Sequence, residues 1–269
     1  MKAIPFTKMV GAGNDFIVLD YRKPFYKGSL ATLAREVCDR HRSVGADGLL
    51  LLERSVRADF KMRYFNSDGS EASMCGNGAR CLARFAEYKG IIKKKTVFET
   101  KAGLTSAVLF SKEVELRLLP VTDSRLNINL LIGKKKSLAH SINTGVPHAI
   151  IFVSHVDTVP VPELGRLIGW HKFFKPAGTN VDFVEIISRS RIRMRTYERG
   201  VEDETLACGT GAVASACIAS LVKNIKSPVT IGTRSGQDLK VYFTRVGRTF
   251  HEIKLVGEAR VICEGKMYL

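Results

Sequence analysis

The chain has 269 residues, enough for two domains of ordinary size and for a buried core that needs no disulfide or structural metal. Its six cysteines are too few for a secreted disulfide scaffold and form no CxxC, which weakens zinc-ribbon and thioredoxin readings. The formal charge of +16 raises the question of nucleic acid or an anionic surface. The charge is scattered, however, and no aromatic residues are interleaved with it.

The opening residues, Met1 to Phe6, carry no apolar export segment, and the longest weakly polar run, Ala212 to Val222, is far short of a membrane span. A cytoplasmic protein with reduced thiols is therefore expected. In chain order, strand-like runs cover Phe16–Asp20, Gly48–Leu52 and Asp59–Phe65, with a helix over Leu30–Asp39. A second helix is expected over Ala79–Lys89. Further strands follow at Thr96–Glu99, Leu104–Phe110 and Glu113–Leu118. A boundary falls near Leu119–Ser124. Beyond it, strands are expected at Ala149–Val153, Phe183–Ile187 and Arg191–Glu198, a helix over Ala212–Val222, and strands at Lys240–Thr244 and Glu252–Leu255. Arg189, Arg191, Arg193 and Arg195 alternate with smaller or apolar residues, the period of a strand with one solvated face. Many strands around few helices reads as α+β.

Two segments repeat. Tyr64 stands eleven residues before Cys75, and Tyr197 stands eleven before Cys208. Both cysteines open a Cys-Gly-x-Gly-Ala turn (Cys75-Gly76-Asn77-Gly78-Ala79 and Cys208-Gly209-Thr210-Gly211-Ala212) that leads from a strand into a helix. The repeat implies two halves of similar build. A thiol at a helix N-terminus has its thiolate stabilised by the dipole and the first N–H groups, so a lowered pKa is expected for both. Glycines let backbone N–H groups approach an anion such as a carboxylate. Inverting a carbon next to a carboxylate needs one base and one acid on opposite faces, and two thiols in different protonation states supply them. Cys38, Cys81, Cys217 and Cys263 lack this setting, and packing suffices for Cys81 and Cys217.

These segments resemble the diaminopimelate epimerases, a pyridoxal-phosphate-independent family. The likeness spans essentially the whole chain. It is carried by Met9 to Phe16, Gly45-Ala46-Asp47-Gly48, Phe65 to Ser70, Met74 to Cys81, Gly178 to Phe183, Tyr197-Glu198-Arg199-Gly200 and Ala207 to Gly211. The resemblance implies two pseudo-symmetric halves, each a mixed β-sheet curled around a central α-helix, with the active site in the cleft between them. The halves would be residues 1–118, joined by 258–269, and residues 119–257. It implies Cys75 and Cys208 as the catalytic acid–bases, with His148 and Glu198 tuning them. Gly76, Asn77, Gly209 and Thr210 would hold the α-carboxylate through backbone N–H groups. Asn14, Asn66, Asn180, Glu198 and Arg199 would complete the substrate site. The implied partner is the small-molecule substrate diaminopimelate, converted between its L,L and meso forms for lysine and cell-wall precursors. No metal or organic cofactor is implied. A homodimer is, while a membrane or nucleic-acid partner is not.

Three positions depart from the family pattern. Val146 replaces a frequent Asn, Gly48 a frequent Gln, and Cys263 a frequent Tyr near a dimer contact. Two rival readings stand beside the main one: a related epimerase of another amino or hydroxy acid, and a basic nucleic-acid-binding protein on an inactive enzyme fold.

Overall fold

The structure, a computed structural model, describes residues 3–268. It separates into two compact units, one running to Arg117 and taken up again from Val256, the other spanning Leu118–Leu255. Among the described residues no helix is long and apolar enough to cross a membrane.

The first unit contains β1 (Ala3–Gly11), β2 (Asn14–Asp20), α1 (Leu30–Cys38), β3 (Gly48–Glu53), β4 (Phe60–Asn66), β5 (Glu71–Ala72), α2 (Gly76–Tyr88), β6 (Lys95–Thr100), β7 (Gly103–Leu109) and β8 (Glu113–Arg117). The second contains β9 (Thr122–Ile132), β10 (Lys135–Asn143), β11 (Pro147–Phe152), α3 (Val161–Gly169), β12 (Asn180–Ser188), β13 (Arg191–Glu198), β14 (Asp203–Thr205), α4 (Gly209–Lys223), β15 (Val229–Gly232) and β16 (Asp238–Val246). Strand β17 (Thr249–Glu258) carries the chain out of it, and β18 (Arg260–Tyr268) belongs to the first unit.

The pairings repeat. In the first unit β18/β1 and β1/β2 are antiparallel, β2/β3 parallel, β3/β4 antiparallel, β4/β6 parallel and β6/β7 antiparallel. In the second, β9/β10 and β10/β11 are antiparallel, β11/β12 parallel, β12/β13 antiparallel, β13/β15 parallel and β15/β16 antiparallel. The returning strand β18 thus takes, in the first unit, the place of β9 in the second. Each unit is an α+β sheet with one helix inside it and one outside.

The helices explain this layering. In α4 every residue from Gly211 to Ser220 is buried, and most of α2 from Asn77 to Ala86 is buried too. A helix hydrophobic on all sides belongs in an interior, and the small residues of Gly209-Thr210-Gly211-Ala212-Val213-Ala214-Ser215-Ala216 let a sheet curl closely around it. Strands β2 and β3 are continuous apolar runs because both faces are covered. Ile17, Leu19, Leu49 and Leu51 join Leu33 and Val37 of α1 in one cluster, and their alternate neighbours face α2.

Several elements were not legible beforehand. Helix α3 lies outside the expected elements, and Pro162, Gly165 and Gly169 are poor helix formers. The proline lies in the first turn, where its missing N–H costs nothing, and a Cβ on Gly165 would lie 2.3 Å from the Tyr197 Cβ. Strands β1, β5, β9, β10, β14, β15 and β18 also lie outside the expected elements. In β9 the polar residues Asp123 and Asn127 take positive φ, which breaks the simple alternation, and pairing with β10 holds the strand. Both inner helices start earlier than expected, at Gly76 and Gly209 instead of Ala79 and Ala212.

Candidate active site

That earlier start makes each cysteine the N-cap of its helix. Cys75 and Cys208 both have extended backbones, with φ −136° and −114°, and each Sγ accepts from the N–H three residues on, Gly78 and Gly211, at 3.4 Å. A sulfur thus does the work usually given to Ser or Asp. The Gly76 and Asn77 N–H groups, and those of Gly209 and Thr210, lie in first turns, where a helix has no internal acceptors for them. All six cysteines are thiols.

In the first unit, the β1–β2 hairpin turns at Ala12 and Gly13, both with positive φ, as a tight two-residue hairpin demands. A Cβ on Gly11 would lie 3.0 Å from the Cys81 Sγ and 3.1 Å from the Asn77 carbonyl, so the hairpin reaches the start of α2 only because Gly11 has no side chain. Asn14 then lies against Asn77, whose Nδ2 donates to the Asn14 Oδ1. The Asn14 Nδ2 donates to Asp47 Oδ2 at 3.0 Å. Asp47 and Asp15 both accept from Arg40, and Asp15 also pairs with Lys8 at 2.8 Å. Burial works against the Asp15 carboxylate, but Arg40 and Lys8 outweigh it and hold its carboxyl down at about 2. Asn66 takes no part in this chain. Its amide donates to the Ser70 Oγ at 3.0 Å and closes the turn after β4.

In the second unit the expected residues converge. Parallel register sets His148 opposite Asn180, and antiparallel register sets Asp182 opposite Thr196. His148 is fully buried, with Nδ1 2.7 Å from Asp182 Oδ2 and Nε2 3.1 Å from Thr210 Oγ1. The other Asp182 oxygen accepts from Thr196 Oγ1 at 2.7 Å. A carboxylate only accepts, so Nδ1 donates to Asp182, and Nε2, which faces the Asn180 Nδ2 donor, is the accepting nitrogen. Thr210 Oγ1 also lies 3.3 Å from the Cys208 Sγ. A hydroxyl donates one proton, so donation runs from Cys208 to Thr210 to His148 to Asp182. Asn180 Nδ2 lies 3.3 Å from His148 Nε2, and its Oδ1 accepts from the Arg199 N–H at 2.9 Å. The Arg199 guanidinium donates to the Ala177 carbonyl at 2.6 Å. Glu198 accepts from Thr205 Oγ1 at 2.5 Å and lies within hydrogen-bonding reach of Cys208.

The electrostatics correct one expectation. Burial, together with the charges of Glu198 and Asp182, pushes the Cys208 thiol well above its ordinary value, against the opposing pull of Thr210 and the Gly211 N–H. The helix terminus acts in the expected direction and loses to desolvation. Burial also raises the Glu198 carboxyl. Cys38 and Cys81, deep in the core, are pushed up to about 12 by burial, and Cys217 higher still.

Several residues of these networks had no assigned role in the sequence, among them Asp47, Asp182 and Thr196. The first two lie in the Gly45-Ala46-Asp47 and Asn180-Val181-Asp182 segments already singled out. Asp182 shares a strand face with Asn180 by period two, which could have flagged it. The basic stripe of β13 is largely neutralised, since Arg191 pairs with Asp238, Arg193 with Asp157, and Arg195 with Glu204. At Gly48 a Cβ would lie 2.5 Å from Tyr64 Cε2, so the tyrosine ring fills the space a longer side chain would take. Val146 is half-buried in the turn between β10 and β11. Cys263 is exposed on β18. Among the described residues no group of three His, Cys, Asp or Glu is placed to hold a metal ion.

Comparison with known proteins agrees with this layout. The solved structure of the Bacillus anthracis phenazine biosynthesis protein of the PhzF family superposes with a TM-score of 0.78 over all of both chains, at 16% identity. A probable proline racemase from Agrobacterium radiobacter K84 superposes with a TM-score of 0.74 over 99% of this chain and 93% of its own, at 17% identity. At such identities the likeness is one of fold. Sequence relatives are much nearer. The diaminopimelate epimerase of Aquifex aeolicus (strain VF5) is 43% identical over 97% of each chain, and that of Hydrogenobaculum sp. (strain Y04AAS1) is 45% identical over 87% of this chain and 90% of its own. The diaminopimelate epimerase family model matches residues 6–117 and 140–262. With the family pattern carried over most of its length, the chain belongs to the diaminopimelate epimerases and is an isomerase.

Proposed function

We propose that the protein interconverts L,L- and meso-diaminopimelate by moving a proton at one α-carbon between two thiols. The observation that carries this reading is the pair of cysteines that each cap an inner helix and precede two first-turn N–H groups. Cys75 acts on one face of the carbon and Cys208 on the other, and they exchange roles with reaction direction. The raised Cys208 thiol makes it the proton donor of the resting enzyme, which leaves Cys75 as the base. The Cys208–Thr210–His148–Asp182 chain orients the thiol, and once the thiol gives up its proton the Thr210 hydroxyl turns to donate to the sulfur. The first-turn N–H groups of both helices hold the α-carboxylate and stabilise charge that builds as the proton leaves. Asn14, Asn66, Asn180 and Arg199 read the rest of the substrate, where a guanidinium matches a distal carboxylate at two points. Proton transfer of this kind needs no metal or organic cofactor. Work in the cytoplasm, in lysine and cell-wall precursor synthesis, and as a homodimer completes the proposal.

The test is deuterium exchange at the α-carbon of L,L-diaminopimelate, with Cys75→Ser and Cys208→Ser beside the wild type. Each single variant is expected to lose epimerisation. Epimerisation by both at the wild-type rate would rule out the two-thiol mechanism. A second reading, a related epimerase of another amino acid, is favoured by one observation: Gly48, backed by Tyr64, offers no polar side chain to a substrate. Rates across a panel of amino acids separate the two.

A further inference from the structure

Among the described residues Arg80 is the largest fully buried side chain, and no carboxylate partners it. Its guanidinium donates from Nη2 to Asn77 Oδ1 at 2.6 Å and from Nη1 to the Gly76 carbonyl at 3.4 Å, while Nε has no hydrogen-bond partner. A buried cation in this condition costs stability, and burial lowers its pKa accordingly. A core-filling Leu or Met would pack the same helix position without that cost. Something other than stability therefore accounts for its presence.

The two residues it touches are Gly76 and Asn77, the first turn behind Cys75. An amide side chain is nearly symmetric in shape, so its partners alone decide which way its oxygen and nitrogen face. Arginine only donates, so Asn77 must turn Oδ1 to Arg80 and Nδ2 to Asn14. Asn14 must then receive on Oδ1 and donate Nδ2 to Asp47, which, as a carboxylate, only accepts. A donor-only group closes one end of the chain and an acceptor-only group the other. Flipping either amide would set nitrogen against nitrogen and oxygen against oxygen.

We propose that Arg80, with Asp47 at the far end, is a positioning residue that locks Asn77 and Asn14 in the single orientation able to receive substrate beside Cys75. This rests on the epimerase reading above. Arg80 does not touch substrate. It acts through the two amides, and its uncompensated charge also favours an anion at the start of α2.

The experiment compares Arg80→Met and Arg80→Lys with the wild-type chain, by steady-state kinetics, thermal unfolding and the side-chain amide resonances of Asn14 and Asn77. Arg80→Met is expected to raise KM for diaminopimelate about 10- to 100-fold, the range a hydrogen bond to a charged group spans. Its Tm is expected to stay within about 4 °C of wild type, because the group removed is a costly one. The Asn14 and Asn77 amide protons, shielded in the wild type, are expected to exchange quickly. Arg80→Lys keeps the charge and one donor, and should recover part of the lost affinity. A large fall in Tm with KM and amide protons unchanged would make Arg80 a packing residue and overturn the proposal. If Arg80→Met does not fold, Arg80→Lys decides: a KM and amide exchange equal to wild type overturn it, and a raised KM with faster exchange supports it. If the wild-type chain shows no α-proton exchange on diaminopimelate, the epimerase reading fails, while the amide resonances still report whether Arg80 orders Asn77 and Asn14.

Discussion

Replacing Thr210 by Val tests the proton-transfer chain at its middle. Valine keeps the shape and the backbone N–H and removes only the hydroxyl. Two contacts go with it, the 3.1 Å link to His148 Nε2 and the 3.3 Å link to the Cys208 Sγ. At about 0.5–1.5 kcal/mol each, they amount to roughly 1–3 kcal/mol, or about 5- to 150-fold in rate if they act in the transition state. His148 retains the Asn180 amide 3.3 Å from Nε2, so its ring is not released. The backbone N–H that would hold the carboxylate is untouched, so KM should change by no more than about twofold. The assay is α-deuterium incorporation measured from both the L,L and the meso isomer. Because the overall equilibrium is unaltered, kcat/KM must fall by the same factor in both directions. A second readout is alkylation of Cys208 against pH. The Thr210 hydroxyl opposes the upward push on the thiol, so its loss should move the alkylation midpoint higher still. A variant with wild-type kcat and an unshifted alkylation profile would refute the role given to the hydroxyl.

Two further outcomes follow from the same geometry. In Gly211→Ala the new Cβ would lie 2.4 Å from Asp182 Oδ1, so the carboxylate must move off His148 and Thr196; about 1–3 kcal/mol of stability and most of the activity should be lost, measured by denaturant unfolding and turnover together. Asp15 has its folded pKa held at about 2, below the ordinary value of 3.8, so it stabilises the fold above pH 4 and that contribution disappears as pH falls from about 4 to 2. The shift corresponds to about 2 kcal/mol, so Asp15→Asn should unfold more easily than wild type at pH 7 and equally easily at pH 2; a gap that persists at pH 2 would contradict the assignment.

Much of the site was legible because its parts are local. A cysteine, two glycines and an alanine in five residues mark a strand-to-helix turn wherever the chain goes, and finding that turn twice at the same distance from a tyrosine reveals the duplication. The alternation of Arg191, Arg193 and Arg195 with buried Ile192, Met194 and Thr196 is likewise a property of neighbours along one strand. Misreadings arose where local signals ran against tertiary demand. Gly76 and Gly209 look like turn residues and form the first helical positions, because the cysteine before each can cap the helix. Val161–Gly169, which carries no clear helical signal, is a helix because its glycine lets Tyr197 in.

What the sequence alone determined was the chemistry on offer: two thiols at two helix starts, the amides and the guanidinium near them, and an α+β chain in two like halves. What only the tertiary structure decided was the state of those groups. The Cys208 thiol is pushed up because burial and two carboxylates outweigh a helix terminus, and one of them, Asp182, arrives on a strand remote in sequence from the turn. His148 takes one tautomer because β11 lies parallel to β12 and brings its ring to Asp182. Desolvation and charge are sums over everything packed nearby, and a sequence pattern reports only what lies next along the chain.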